Sequence, residues 1–215
     1  MLILLLNHQK PMRFFQKKYI LIVGLLFYTN GIFAQQPSTE SKNISVCIKE
    51  NEMRLYNLVM QYRTQNGLPI IPLSSSLTFV AQAHCKDLVL NKPNYGSCNL
   101  HSWSSKGTWN GCCYTSDHKV ATCMWNKPRE LTNYKGDGFE IAFNIWRSNN
   151  ATYTATPEEA LEGWKGSSGH NDVILNKSIW RSITWNAIGV AIYQGYATIW
   201  FGMVKDNEPI PASCN

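Results

Sequence analysis

Between Glu50 and Gln65 the apolar residues Leu55, Leu58, Val59 and Tyr62 recur at i, i+3, i+4 and i+7, the spacing of one helical face. Asn66 and Gly67 end that pattern, and the two prolines within Leu68–Leu73 predict an extended connector. A second helix is expected from a cap at Ser76 to about Leu90, with Leu77, Val80, Ala81, His84 and Leu88 on one stripe. On that stripe His84 reads as a hydrogen-bonded core histidine and a bystander to any chemistry. Residues 91–136 carry no sustained period and predict a loop-rich lobe. Near the C-terminus, Ile188, Val190 and Ile192 alternate with polar or small residues, as do Ala197, Ile199, Phe201 and Met203. With Gln194 and Gly195 between the two runs, this predicts a β-hairpin.

The stretch from Thr156 to Leu175 packs the most signals into the least chain. Thr156 suits an N-cap, Pro157 the first helical position, and Glu159 the return arm of a capping box. Ala160, Leu161 and Trp164 form the apolar face, and Gly166 is the expected stop. Ser167 to Gly169 are expected to turn the chain and place His170 at the mouth of a short helix carrying Val173, Ile174 and Leu175. A helix start disfavours positive charge, which pushes His170 toward neutral imidazole. Glu140 stands between Phe139 and Ile141, Ala142 and Phe143, so its carboxylate must be paired, ligating or at an edge.

The first 34 residues read as a secretory signal: Arg13, Lys17 and Lys18, then an apolar run from Tyr19 to Tyr28, then Ala34. That run is short for a membrane span. Four of the twenty basic residues lie there with no acidic one, so the formal charge of +6 falls to +2 without the segment. A near-neutral mature chain with no basic patch excludes a nucleic-acid partner. Its length of about 180 residues allows one domain with a real core.

Export makes disulfides the default for the seven cysteines, and an odd number leaves at least one free or paired with another chain. Cys85, on the second helix, is the expected free thiol, and Cys47 and Cys214 can tie the termini together. Cys98, Cys112, Cys113 and Cys123 are expected to staple the loop-rich lobe. A zinc knuckle from Cys112, Cys113, His118 and Cys123 lacks the usual Cys-x-x-Cys spacing. Trp103, Trp109, Tyr114 and Trp125 are expected to pack against the disulfides, the alternative being a stacking platform for sugar or peptide.

In order and spacing these pieces resemble the CAP superfamily, whose domain is also called SCP: cysteine-rich secretory proteins, antigen 5 and plant pathogenesis-related proteins. The bacterial branch is the nearest in pattern. The resemblance rests on Leu55-Tyr56-Asn57 through Gly67-Leu68, Leu77 to Leu88, His101-Ser102, Gly138-Phe139-Glu140, Trp164 with Ser168-Gly169-His170, and Ile188-Gly189-Val190. It spans about Met53 to Met203. It implies an α+β fold, a three-layer α-β-α sandwich with an open cleft, here with a cysteine-rich insertion. It also implies two histidines and two acids in the cleft, which in several members hold a divalent metal such as zinc. Carried over by motif, His101 and His170 are the histidines and Glu140 the first acid. Ser167 stands where the second acid would be, and Ile141 replaces the usual asparagine after Glu140.

Taken together, residues 1–34 are expected as signal, 35–52 as leader, 53–204 as the domain with its insertion at 91–136, and 205–215 as tail. The expected product is secreted or held in the cell envelope without a membrane span. Its expected role is non-catalytic binding of a lipid-like, sterol or protein ligand through His101, Glu140, Ser167 and His170. The alternative is a metal-dependent hydrolase with His101 and His170 as ligands and Glu140 as third ligand or base. No His-Glu-x-x-His and no Gly-x-Ser-x-Gly occurs to support that alternative.

Overall fold

The computed structural model describes residues 42–147, 150 and 152–215, so the expected signal segment lies outside the described residues. In chain order the elements are β1 (Cys47–Ile48), α1 (Glu50–Gln65), α2 (Ser75–Asn91), α3 (Ala121–Trp125), α4 (Lys127–Leu131), β2 (Gly138–Asn144), α5 (Pro157–Lys165), α6 (Ser168–Ile174), β3 (Ala187–Tyr193), β4 (Tyr196–Gly202) and β5 (Ala212–Ser213). A 3-10 turn, Ser178–Trp180, links α6 to β3.

β2, β4 and β3 form one antiparallel sheet with β4 in the middle. The two-residue period of a strand sends alternate side chains to opposite faces. One face presents Ile141, Ile188, Val190, Ile192, Ile199 and Phe201 to α1, α5 and α6, which contribute Leu55, Val59, Leu161, Trp164 and Ile174. The other presents Ala187, Ala191 and Trp200 to α2, α3 and α4, which contribute Leu77, Val80, Ala81, Met124 and Leu131. This is the expected three-layer sandwich of helix, sheet and helix. Both faces are covered, so β3 and β4 are buried almost throughout.

α2 begins at Ser74, whose side chain accepts from the Leu77 amide, two residues before the cap expected at Ser76. Asp206 completes this end: its carboxylate accepts from the Ser74 hydroxyl at 2.5 Å, the Ser76 amide at 2.9 Å and the Ser76 hydroxyl at 3.0 Å. Residues 47–48 of the expected leader and 206–214 of the expected tail thus join the fold. β1 pairs in parallel with β5, and a Cys47–Cys214 disulfide joins them.

Two further disulfides, Cys98–Cys113 and Cys112–Cys123, staple the lobe between α2 and β2. They consume the sulfurs a zinc knuckle with His118 would need. Cys85 is free and buried, and burial pushes its thiol up to about 12. Within this lobe α3 and α4 span five residues each, too short for a periodic pattern to reveal. No helix among the described residues is long and apolar enough to cross a membrane.

Candidate functional site

Glu140 lies on the α2 face of β2, opposite Trp200 in the register, with its side chain fully buried. An isolated carboxylate there would be costly, and two imidazoles relieve it. His84 Nδ1 meets Oε1 at 2.5 Å and His101 Nδ1 meets Oε2 at 2.9 Å. Burial acts to raise the Glu140 pKa, but the facing His84 and His101 together hold the carboxyl below its ordinary value. His84 Nε2 lies 2.9 Å from the Ser102 carbonyl. Both ring nitrogens of His84 therefore face acceptors, and only the doubly protonated ring donates to both. The ring also stacks on Trp103, with centroids 4.3 Å apart and planes 8° from parallel.

His84 is therefore a hydrogen-bonded core histidine, as its stripe position implies, and its partner is the candidate site residue Glu140. The sequence held the clue in two halves: a histidine on a buried stripe and a glutamate among apolar residues, each needing a partner. Nothing in the linear order joins them.

The stapled lobe holds His101 in place. The Asn99 side chain accepts from the His101 amide, the Ser102 hydroxyl accepts from the Tyr114 amide, and Trp103 and Cys112 exchange backbone hydrogen bonds. Both disulfides anchor the 112–114 strip. The insertion is thus one wall of the site. Buried Trp103 and half-buried Trp109 meet edge to face, whereas Tyr114 and Trp125 line a cavity.

That cavity has a volume of about 370 Å³. His101 and Glu140 contribute its polar floor, and Tyr114, Met124, Trp125, Phe139, Val173 and Trp180 its walls. A larger hollow of about 540 Å³ lies along α1 beside Cys214 and contains none of these groups. His118 edges the smaller cavity and hydrogen-bonds the Tyr114 hydroxyl at 3.0 Å.

His170 lies inside the first turn of α6, because that helix starts at Ser168 where a turn was expected. Gly166, the expected stop of α5, keeps right-handed angles. Ser167 precedes α6 without a side-chain cap bond. Burial, and then the neighbouring His101, lower the His170 pKa, while Glu140 acts to raise it. His170 is thus within electrostatic reach of the pair yet outside its hydrogen-bonded set. Arg63 fixes the far end of α6, donating to the Ile174 carbonyl at 2.5 Å and to Asn176 at 2.8 Å.

Glu140 already gives both oxygens to imidazole nitrogens, and among the described residues no three His, Cys, Asp or Glu side chains are grouped to hold an ion. As placed, His101, Glu140 and His170 do not fit a zinc site with three protein ligands.

α5, which leads into α6, carries the expected capping box. Glu159 accepts from the Thr156 amide at 2.9 Å, the Tyr153 hydroxyl at 2.8 Å and Arg147 at 2.7 Å. The Thr156 amide first, then Tyr153 and Arg147, hold its carboxyl at about 2. A depressed acid contributes stability that is full above its unfolded value near 4.5 and is lost as pH falls through about 2. Glu159→Gln is expected to cost about 1 kcal/mol at pH 7, with the gap from wild type closing between pH 4.5 and 2. Thermal unfolding of both proteins across that range checks it.

A sequence model of the cysteine-rich secretory protein family, CAP, matches residues 56–203. No curated protein matches the chain. Among solved structures it is similar to an extracellular protein containing an SCP domain from Bacillus anthracis, at 20% identity and TM-score 0.48 over 72% of this chain and 40% of that one. A cysteine-rich secretory protein from Staphylococcus aureus aligns at 15% identity and TM-score 0.45, covering 72% and 38% of the two chains. An outer surface protein from Borrelia burgdorferi aligns at 14% identity and TM-score 0.48, covering 75% of this chain and all of that one. This chain therefore spans less than half the length of the first two.

Proposed function

The chain belongs to the cysteine-rich secretory protein (CAP) family, and on that premise we propose that it is an exported, non-catalytic binding module for a small, mainly apolar molecule bearing a hydroxyl group. The observation that carries this reading is the aromatic-walled cavity of about 370 Å³ with His101 and Glu140 at its floor. Apolar walls with a few convergent polar groups are the usual make-up of a small-molecule site. Glu140 engages His101 at Nδ1, so a neutral His101 carries its proton there and offers Nε2 as an acceptor. A ligand hydroxyl is the matching donor. Export is supported by the signal-like residues 1–34 and by three disulfides. The hydrolase alternative has less support, because both Glu140 oxygens are engaged by imidazole nitrogens and His170 does not join them.

Quenching of tryptophan emission by 1-dodecanol and by its methyl ether tests the reading, since Trp125 and Trp180 line the cavity. Saturable binding is expected, with the alcohol preferred about fivefold or more over the ether, which has no donor. His101→Ala should abolish the preference and Trp180→Ala should weaken both ligands. Absence of saturable quenching, together with no apolar molecule co-purifying with the protein, would overturn it.

A further inference from the structure

Two loops edge the cavity, one through His118 and one through Ile179 and Trp180. Ile179 is 81% exposed, the most exposed large apolar side chain among the described residues. It does not stand out for want of anchoring. Ser178 donates its hydroxyl to Asp172 at 2.5 Å, and Asn176 donates to the Ile183 carbonyl at 2.9 Å and accepts from Arg63 at 2.8 Å. Asn176 and Ser178 both hold left-handed backbone angles, with φ of 49° and 50°, a conformation unfavourable for residues with a side chain. The next residue, Trp180, is tucked inward, edge to face on Phe139 and tilted against Trp185. The loop is thus pinned with one apolar side chain in and the other out.

Lys177 and Arg181 flank this turn and are exposed. Asp172, the nearest acid in the chain, is occupied by Ser178. Across the mouth Val120 is 42% exposed, beside Lys119, which pairs with Asp117 at 3.1 Å. An outward apolar side chain between two cations that form no ion pair among the described residues matches a surface whose negative headgroups overlie hydrocarbon.

We propose that the turn Lys177–Arg181 docks the cavity mouth onto an anionic phospholipid bilayer, with Ile179 entering the acyl region and Lys177 and Arg181 meeting headgroup phosphates. This deepens the cavity reading by naming the membrane as the place where the apolar ligand is exchanged. The docking itself does not require a ligand.

The test is co-sedimentation of the full chain with phosphatidylglycerol/phosphatidylcholine vesicles and with pure phosphatidylcholine vesicles. Any contribution from residues 1–41 is common to every variant, so the comparison is between variants. Ile179→Asp and the pair Lys177→Glu with Arg181→Glu should each weaken binding to anionic vesicles at least tenfold, at about fivefold per basic residue removed. The charge-matched pair Lys106→Glu with Lys135→Glu should change it less than threefold. Half-molar salt should weaken wild type and leave the Lys177→Glu, Arg181→Glu protein nearly unchanged. Equal binding of wild type and Ile179→Asp, equal loss in the control pair, or no binding by wild type would each overturn the proposal. The dodecanol titration, run without vesicles, reads the cavity separately, so either idea can fail alone.

Discussion

A His84→Ala variant is expected to lose about 3–5 kcal/mol of folding stability, because it leaves the fully buried Glu140 carboxylate facing a void where the imidazole ring stood. His101 remains, but it is partly open to solvent and reaches only the other oxygen. The Ser102 carbonyl loses its donor and Trp103 its stacking partner as well. What separates an ion pair from simple packing is the second substitution. His84→Leu combined with Glu140→Met should recover much of the loss, since an apolar pair of similar volume removes both desolvation costs. Urea unfolding at pH 7 of wild type, His84→Leu, Glu140→Met and the double variant measures the coupling. If the double variant were as unstable as the sum of the singles, the two groups would not be acting on each other.

Gly189→Ala is the second large effect, and it arises where the helix backbone meets the sheet. Gly189 lies on the α2 face of β3, and a Cβ there would collide with the Leu77 carbonyl group and the Thr78 amide. These are backbone atoms in the first turn of α2, so no rotamer change relieves the contact. The surroundings are tied down too: Ser74 N donates to the Ile188 carbonyl at 2.8 Å and Ile188 N to the Pro72 carbonyl at 3.0 Å. Overpacking usually costs about 1–3 kcal/mol, and a contact on tethered backbone belongs at or above the upper end. Because α2 carries His84, its displacement should also loosen the grip on Glu140. Thermal unfolding together with the alcohol-over-ether preference reports both consequences. Full retention of each would show that α2 can slide over β3 without cost.

Legibility differed from element to element for physical reasons. α1, α5 and the β3–β4 hairpin repeat their apolar residues with the period of the structure they form, so the pattern states both the element and its buried face. The Cys47–Cys214 pairing and the free Cys85 were among the arrangements that position allowed, though connectivity itself does not follow from sequence. α3 and α4 are shorter than a readable period. The α2 cap was misplaced because Asp206, 130 residues after Ser76, helps decide where that helix begins. The start of α6 was misplaced because Ser168 and Gly169, read as turn residues, continue into helix where Arg63 and the core hold its far end.

Residue order alone determined the periodic elements and, through the succession of motifs, the family resemblance that implied the sandwich and the candidates His101, Glu140 and His170. Which of those side chains actually share a proton network was decided only in three dimensions. A buried carboxylate accepts whichever donors the packing brings within reach, and α2 lying close on Gly189 brings His84, while the stapled lobe brings His101. His170 has the motif but sits on a helix whose position is set by Arg63, so it stays beside the pair without joining it.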